Sequence, residues 1–199
     1  MSPDRWEKLL NSLDYPPSYT SQDQRRRVEA DYFVTFATHE WDTEKSLLVV
    51  GCGDGYEVKL LLEKGWKDVI GITWHPKEFE ESQKMGLGEH VIQGDFHDMG
   101  LLQDSQFDYV ISKETLEHAL SPFAALVEIN RVMKVGGSYV FYIPEGPAKQ
   151  SDWYHLYCAP DWLWKDIIDK AGFSVDSITR QIDQNKFSGT KLHSYYGDS

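Results

Sequence analysis

The sequence predicts a doubly wound α/β sheet whose last strand runs antiparallel to the others. Three observations carry that expectation. An unbroken apolar run, Leu47-Leu48-Val49-Val50, feeds straight into a glycine-rich turn, Gly51-Cys52-Gly53-Asp54-Gly55. Strand-like and helix-like stretches then alternate to about residue 180, the pattern of parallel strands joined by crossover helices. Residues 180–190 are too few for another crossover helix, so the final two strands are expected to form a hairpin.

The elements follow in order. The first 20 residues hold a short amphipathic piece (Trp6, Leu9, Leu10, Leu13), broken by Tyr15-Pro16-Pro17-Ser18-Tyr19. Residues 22–39 read as a helix with Val28, Tyr32, Phe33 and Phe36 on one face. Strand 46–50 is apolar enough to be buried on both faces, as in the middle of a parallel sheet. A helix over about 55–64 ends at Gly65. Asp68–Thr73 is a strand, 76–85 a helix and Glu89–Gln93 a short strand. Phe107–Ser112 is the next strand and 122–134 the next helix, carrying Phe123, Leu126, Val127, Ile129 and Val132. Val135-Gly136-Gly137 reads as a turn into a strand at 138–143, closed by Pro144. A helix at 160–171 is capped by Gly172, Phe173–Thr179 is a sixth strand and Lys191–Tyr196 a seventh.

Length and composition bound the function. The 199 residues suit one domain, 1–199, with 1–45 as a helical extension or lid and 46–199 as the α/β core. Apolar residues make up 41% and charged residues 26%, ordinary for a globular protein. No apolar run approaches the roughly 20 residues of a membrane span, and MSPDRWEKLL lacks a signal-peptide core. With only Cys52 and Cys158 no disulfide framework is implied, so a cytoplasmic setting is expected. A net charge of −12 argues against nucleic acid as a partner, because phosphate neutralisation needs a basic surface. The one basic run, Arg25-Arg26-Arg27, sits beside Asp23 and Glu29, either as a solvated helix face or as a clamp for an anionic group.

The glycine turn makes a nucleotide-like ligand the default expectation. Glycines let the backbone approach a ligand closely, and the helix that follows offers unpaired N–H groups and a positive dipole end. The spacing departs from the dinucleotide fingerprint, whose sixth position here is Tyr56. Ligands in such sheets bind at the carboxyl ends of the strands. That gathers Gly51–Gly55, Thr73–His75, Asp95–Phe96, Ser112–Glu114 and Pro144–Gly146 around one crevice.

Several segments together resemble the class I methyltransferases that use S-adenosylmethionine, in particular their UbiE-like, methyltransferase type 11 group. The turn VGCGDG is similar to that family's first motif. Gly94-Asp95, Phe107-Asp108-Tyr109-Val110 and Leu116-Glu117-His118 resemble its middle motifs in order. Glu128-Ile129-Asn130-Arg131-Val132-Met133-Lys134-Val135-Gly136-Gly137 resembles its E-x-x-R-V-L-K-P-G-G signature, with valine for proline. The resemblance covers about 46–180 and implies a seven-stranded Rossmann-like sheet with helices on both faces. It implies that Gly51, Cys52, Gly53 and Gly55 border the methionine and ribose of the cofactor. Asp95 would then accept from the adenine amino group, Phe96 would meet the adenine ring, and Ser112 and Lys113 would border the sulfonium.

Two departures stand out. The family's acidic residue two places before the first glycine is Val49 here, and its ribose-binding acidic residue at the end of the second strand is Thr73. Glu78 or Glu57 are candidate replacements, and Trp74 a candidate cover for the adenine. Thr73, His75 and Lys77 also leave open an NADP-dependent reductase, since a neutral residue there tolerates a 2′-phosphate. A non-catalytic module of the same fold is the other alternative.

Methyl transfer from a sulfonium to a small-molecule acceptor needs alignment and, for oxygen or nitrogen acceptors, a base. His155 and His118 are the candidate catalytic residues, against Lys113 and Glu114. His75, His90, His97 and His118 lack metal-ligand spacing, so no metal is expected. The aromatics Tyr15, Tyr19, Tyr32 and Phe33 before the core, and Trp153, Tyr154, Tyr157, Trp162 and Trp164 after it, suit a lid over an apolar site. They also suit packing or a dimer interface, so a homodimer is the protein partner considered.

Overall fold

The computed structural model describes residues 17, 19–144, 155–180 and 184–194. The amphipathic piece at 6–13, Tyr15, Trp153 and Tyr154 lie outside the described residues. Helix α1 spans Gln24–Ala37, strand β1 Ser46–Val50, α2 Tyr56–Glu63, β2 Asp68–Thr73, α3 Pro76–Lys84 and β3 Val91–Gln93. Strand β4 covers Phe107–Lys113, α4 Pro122–Val132, β5 Met133–Pro144, α5 Asp161–Lys170, β6 Ser177–Arg180 and β7 Gln184–Thr190.

The seven strands form one sheet in the order β3-β2-β1-β4-β5-β7-β6. Strands β1 to β5 pair in parallel, and β7 runs antiparallel to both β5 and β6. The doubly wound sheet and its terminal hairpin are as the sequence predicts. Every residue of β1 is buried, because helices cover both faces. Leu48 and Val50 point into a cluster with Ala125, Leu126 and Ile129 of α4 and Trp164 and Ile168 of α5. Leu47 and Val49 point the other way, onto Ala30, Phe33 and Val34 of α1 and Val58 and Leu61 of α2. Among the described residues no helix is long and apolar enough to cross a membrane.

Four expectations need correction. Helix α1 buries Ala30, Phe33, Val34 and Ala37, whereas Val28, Tyr32 and Phe36 are 67%, 49% and 51% exposed. Both stripes have helical spacing, and the one carrying two alanines allows the closer approach to the sheet.

Helix α4 stops at Val132 because Met133 already pairs with Phe107 in β5. The glycines after it form an irregularity inside that strand and not a turn before it. Register shifts between Phe107 and Tyr109, Gly136 has φ 78°, and a Cβ on Gly137 would lie 2.6 Å from the Asp108 carbonyl.

Strand β6 is shorter than 173–179, with Phe173 joined to Lys191 only by an isolated bridge. The seventh strand lies at Gln184–Thr190, ahead of the expected 191–196. It turns Asn185, Phe187 and Gly189 inward, so only one of its inward side chains is large and apolar. Lys191 is itself buried, and its Nζ donates to the Asn130 and Met133 carbonyls at 2.8 and 2.7 Å. It thereby satisfies the C-terminal carbonyls of α4.

Candidate functional site

Strand order reverses between β1 and β4, and there the carboxyl ends of β1, β2, β4 and β5 open into a cleft of about 860 Å³. Helix α1 closes one side of it. The crevice therefore sits where an open α/β sheet is expected to bind its ligand.

The glycine turn forms the floor. Gly51, Gly53 and Gly55 have φ values of 74°, 53° and 83°, conformations that cost a side-chain-bearing residue about 1–3 kcal/mol. At Gly51 space is a second restriction, because a Cβ there would collide with the Thr115 side chain. Gly51 and Cys52 both donate their N–H to the Ile72 carbonyl at 3.0 Å, tying the turn to the end of β2. Asp54 is fully buried, and its Oδ2 accepts from Ser21 N and Ser21 Oγ at 2.9 and 2.6 Å. This bond joins the segment ahead of α1 to the turn, so α1 is held over the cleft by the loop it covers. Burial pushes the Cys52 thiol well above its ordinary range, with Glu57, Glu78 and Asp54 adding to it. Cys52 is a packing residue of the floor and no nucleophile.

At the end of β2, Thr73 Oγ1 donates to Glu78 Oε2 at 2.8 Å. Glu78 stands in the first turn of α3, is 7% exposed, and lines the cleft. A carboxylate is therefore present at the strand end although the strand residue itself is threonine. The same carboxylate disfavours the 2′-phosphate of NADP. His75 is occupied as the N-cap of α3, its Nδ1 accepting from Lys77 N at 3.2 Å. Val49 is 3% exposed in the apolar cluster with Ile111 and Val140, so that position brings no polar group to the cleft. Glu57 does, from the first turn of α2. Burial pushes its carboxyl up to about 7, against the opposing Lys113 ammonium, with Asp54 and Glu114 adding repulsion.

Trp74, Phe96 and Lys113 also line the cleft, whereas Gly55, Asp95 and Ser112 stand behind its wall. Asp95 Oδ1 accepts from His97 N at 2.9 Å and contacts its Nδ1 at 2.6 Å, a local turn. Its Oδ2 and the Ser112 Oγ are buried and have no hydrogen-bond partner among the described residues. Such atoms call for an external partner.

The opposite end of the cleft is built from distant parts of the chain. Glu114 follows β4 at φ 49° and donates its N–H to Tyr142 O at 2.9 Å. Two residues on, a single 3₁₀ turn at Leu116–His118 places Glu117, 1% exposed, beneath two imidazoles. His118 Nε2 lies 3.6 Å and His155 Nε2 4.0 Å from Glu117 Oε1, and the two rings are 4.8 Å apart. Main-chain bonds fix this meeting, as Leu156 N and Tyr157 N both donate to Glu117 O at 3.0 Å. Spacing along the chain hides the trio, since the two histidines stand 37 positions apart and only the folded chain brings them together. Arg25, Arg26, Val28 and Tyr32 of α1 also line the cleft. Arg25 Nε is bound to Glu29 Oε1 at 2.9 Å, and Glu29 Oε2 is 4.0 Å from Lys113 Nζ. Of the expected lid aromatics, Phe33 and Trp164 are core residues at 1% exposure, and Trp162 is 64% exposed.

Comparison with known proteins agrees with this fold. A family described as "Methyltransferase domain" matches residues 48–141. A tRNA U34 carboxymethyltransferase of Shewanella piezotolerans is 26% identical over 185 residues, covering 68% of this chain and 56% of that protein. The chain thus spans little more than half the length of the curated relatives first matched. A SAM-dependent methyltransferase from Aquifex aeolicus has the same fold, with a TM-score of 0.69, 20% identity, and coverage of 89% of this chain and 100% of that one. So does a geranyl diphosphate C-methyltransferase from Streptomyces coelicolor solved with S-adenosyl-L-homocysteine, at TM-score 0.70 and 11% identity over 84% and 80% of the two chains.

Proposed function

We propose that this chain is a class I S-adenosylmethionine-dependent methyltransferase and that it transfers a methyl group to a small-molecule acceptor. The observation that carries the reading is the Thr73–Glu78 pair beside the glycine turn. It supplies the carboxylate that the strand end lacks in sequence. The residues fit the cofactor by their chemistry. Glu78 accepts from the ribose hydroxyls, Phe96 and Trp74 offer ring faces to the base, and Asp95 Oδ2 accepts from the adenine amino group once its side chain turns out from behind the wall. Gly51, Cys52 and Gly53 let the chain come close to the ribose and methionine, with Gly55 setting the turn behind them. Lys113 borders the sulfonium side, with Ser112 behind it.

Bound S-adenosylmethionine supplies a methyl carbon made electrophilic by its sulfonium. The chain's own residues do the rest. The cleft walls hold the acceptor in line, which is the largest contribution a direct displacement needs. His118 or His155 takes the acceptor's proton, and the buried Glu117 carboxylate holds the resulting imidazolium. The acceptor's lone pair forms the new bond to carbon as the carbon–sulfur bond breaks, and the sulfur leaves as a neutral thioether.

A small acceptor is favoured by the size of the cleft and by the net charge of −12, which repels polyphosphate. The apolar side chains of Val28 and Tyr32 face the acceptor end as part of a helical lid. Cys52 and Cys158 are not joined to each other in a disulfide, which suits a cytoplasmic setting. Calorimetric titration with S-adenosylhomocysteine, with NADPH as control, tests the proposal. Low-micromolar binding of the first and none of the second is expected. Binding of neither at millimolar concentration would leave a non-catalytic module of the same fold as the better reading.

A further inference from the structure

We propose that Glu117, His118 and His155 hold a first-row divalent metal ion, and that the ion presents the acceptor to the methyl donor through an oxygen atom. One ligand atom from each residue lies within 4.8 Å of the others. The two histidine-to-Glu117 separations are 3.6 and 4.0 Å. Bonds of about 2.1 Å place two ligands of one tetrahedral or octahedral ion roughly 3.0–3.4 Å apart. Shifts of about an ångström, within reach of side-chain rotation, therefore complete the site.

The donor set selects the ion. Two imidazoles and one carboxylate suit zinc, iron(II) or manganese(II), and three protein ligands leave one or more coordination positions open. Calcium and magnesium, which prefer oxygen donors, fit less well. The site is also built for rigidity. Glu117 is buried, the His155 side chain is 6% exposed, and the paired N–H bonds from Leu156 and Tyr157 to the Glu117 carbonyl fix the chain segment carrying His155. Tyr157 Oη donates to Leu120 O at 3.2 Å and fastens the same segment a second time.

The consequence for the reaction rests on the methyltransferase reading. A hydroxyl bound to such an ion ionises near neutral pH. Its proton leaves to solvent, the oxygen lone pair bonds to the methyl carbon, and the carbon–sulfur bond breaks. The work given above to a bare imidazole passes to the ion, with both histidines as ligands. The acceptor class narrows to molecules that coordinate through oxygen: phenols, vicinal diols or hydroxy acids.

The test uses the full chain, stripped of metal with a chelator and titrated with cobalt(II), whose visible absorption reports imidazole and carboxylate ligation. A saturable band at one ion per chain, displaced by zinc, is expected. His155→Ala and Glu117→Gln should each weaken cobalt binding by about 10-fold or more. Calorimetry with S-adenosylhomocysteine on the same samples should be unchanged, which shows a folded protein. If Glu117→Gln does not fold, His118→Ala carries the same expectation. No saturable band in the parent protein, or a band that survives in the His118→Ala/His155→Ala double variant, overturns the metal site. Loss of S-adenosylhomocysteine binding with cobalt binding intact would strike the methyltransferase reading instead.

Discussion

The two ends of the cleft are made by different means. The floor of the proposed cofactor end is mostly main chain: a glycine turn, a strand end and two helix N-termini within residues 46–78, with Phe96 and Lys113 beside them. The acceptor end is mostly side chain, gathered from α1, the 3₁₀ turn after β4 and the segment after residue 155. Positive φ shows the contrast most directly. The first end uses glycine at all three of its left-handed positions, whereas the second keeps a glutamate, Glu114, at φ 49°. Strain retained at a side-chain-bearing residue signals that the side chain or its direction matters there. The cofactor end is thus fixed by steric constraint, and the acceptor end by a particular chemistry that another chain of this fold can exchange.

The largest effect should come from breaking the steric end. Gly51→Ala adds a Cβ against Thr115 at φ 74°, and should cost about 2–4 kcal/mol in stability from overpacking and backbone strain. S-adenosylhomocysteine binding should fall by about 100-fold or more, equivalent to about 2.7 kcal/mol. Urea unfolding and calorimetry read the two effects. A variant with parental stability would show that the turn is looser than its contacts imply.

The next effect belongs to Glu57, between the two ends. Its carboxyl is raised from 4.5 to about 7 in the folded chain. The folded state therefore binds more protons than the unfolded one between those values, and stability falls as pH rises through the window. The loss is about 3 kcal/mol if the unfolded group titrates normally. Glu57→Gln should flatten this part of the profile, measured as the urea midpoint between pH 4.5 and 8. A parental slope that survives the substitution would assign it to other groups.

Glu78→Ala tests the replacement carboxylate. Losing charge-assisted bonds to a diol should cost about 1–3 kcal/mol, or roughly 5- to 150-fold in S-adenosylhomocysteine affinity. Stability should change less, since Thr73 keeps its place in β2. An unchanged affinity would show that the Thr73–Glu78 bond serves packing alone.

The contrast between the ends also explains what could be read in the sequence. Strands β1, β2 and β4 were legible because apolar runs buried on both faces leave few other options. The glycine turn was legible because its conformation is written in the residues themselves. Glu78 could be named as a candidate because it lies one helical turn beyond Thr73. The Glu117–His118–His155 trio could not be seen as a unit, since its members meet only through the return of the chain after β5. Strand β7 was misplaced because its inward residues, Asn185, Phe187 and Gly189, follow no apolar alternation. Lys191 read as strand because nothing local shows that it caps α4 across the sheet.

Helix α1 was the most instructive error, and it yields the smallest predicted effect. The sequence groups Val28, Tyr32, Phe33 and Phe36 on one face, yet the structure buries only Phe33 of these, with Ala30, Val34 and Ala37, and leaves Val28, Tyr32 and Phe36 exposed. The Tyr32 and Phe36 rings pack against each other, with centroids 4.3 Å apart. Val28 and Tyr32 line the cleft, at the end proposed above for the acceptor. Tyr32→Ala should therefore change stability by no more than about 0.5 kcal/mol, as for other exposed positions. S-adenosylhomocysteine affinity should be unchanged, because Tyr32 lies at the other end of the cleft. Once an acceptor is in hand, its KM should rise while kcat changes little, the signature of lost uniform binding. A thermal midpoint that drops by many degrees would return Tyr32 to the core and remove the helical lid from the acceptor end. Retained stability with weakened acceptor binding would mean that α1 spends its largest side chains on the ligand, and that small residues are what hold it to the sheet.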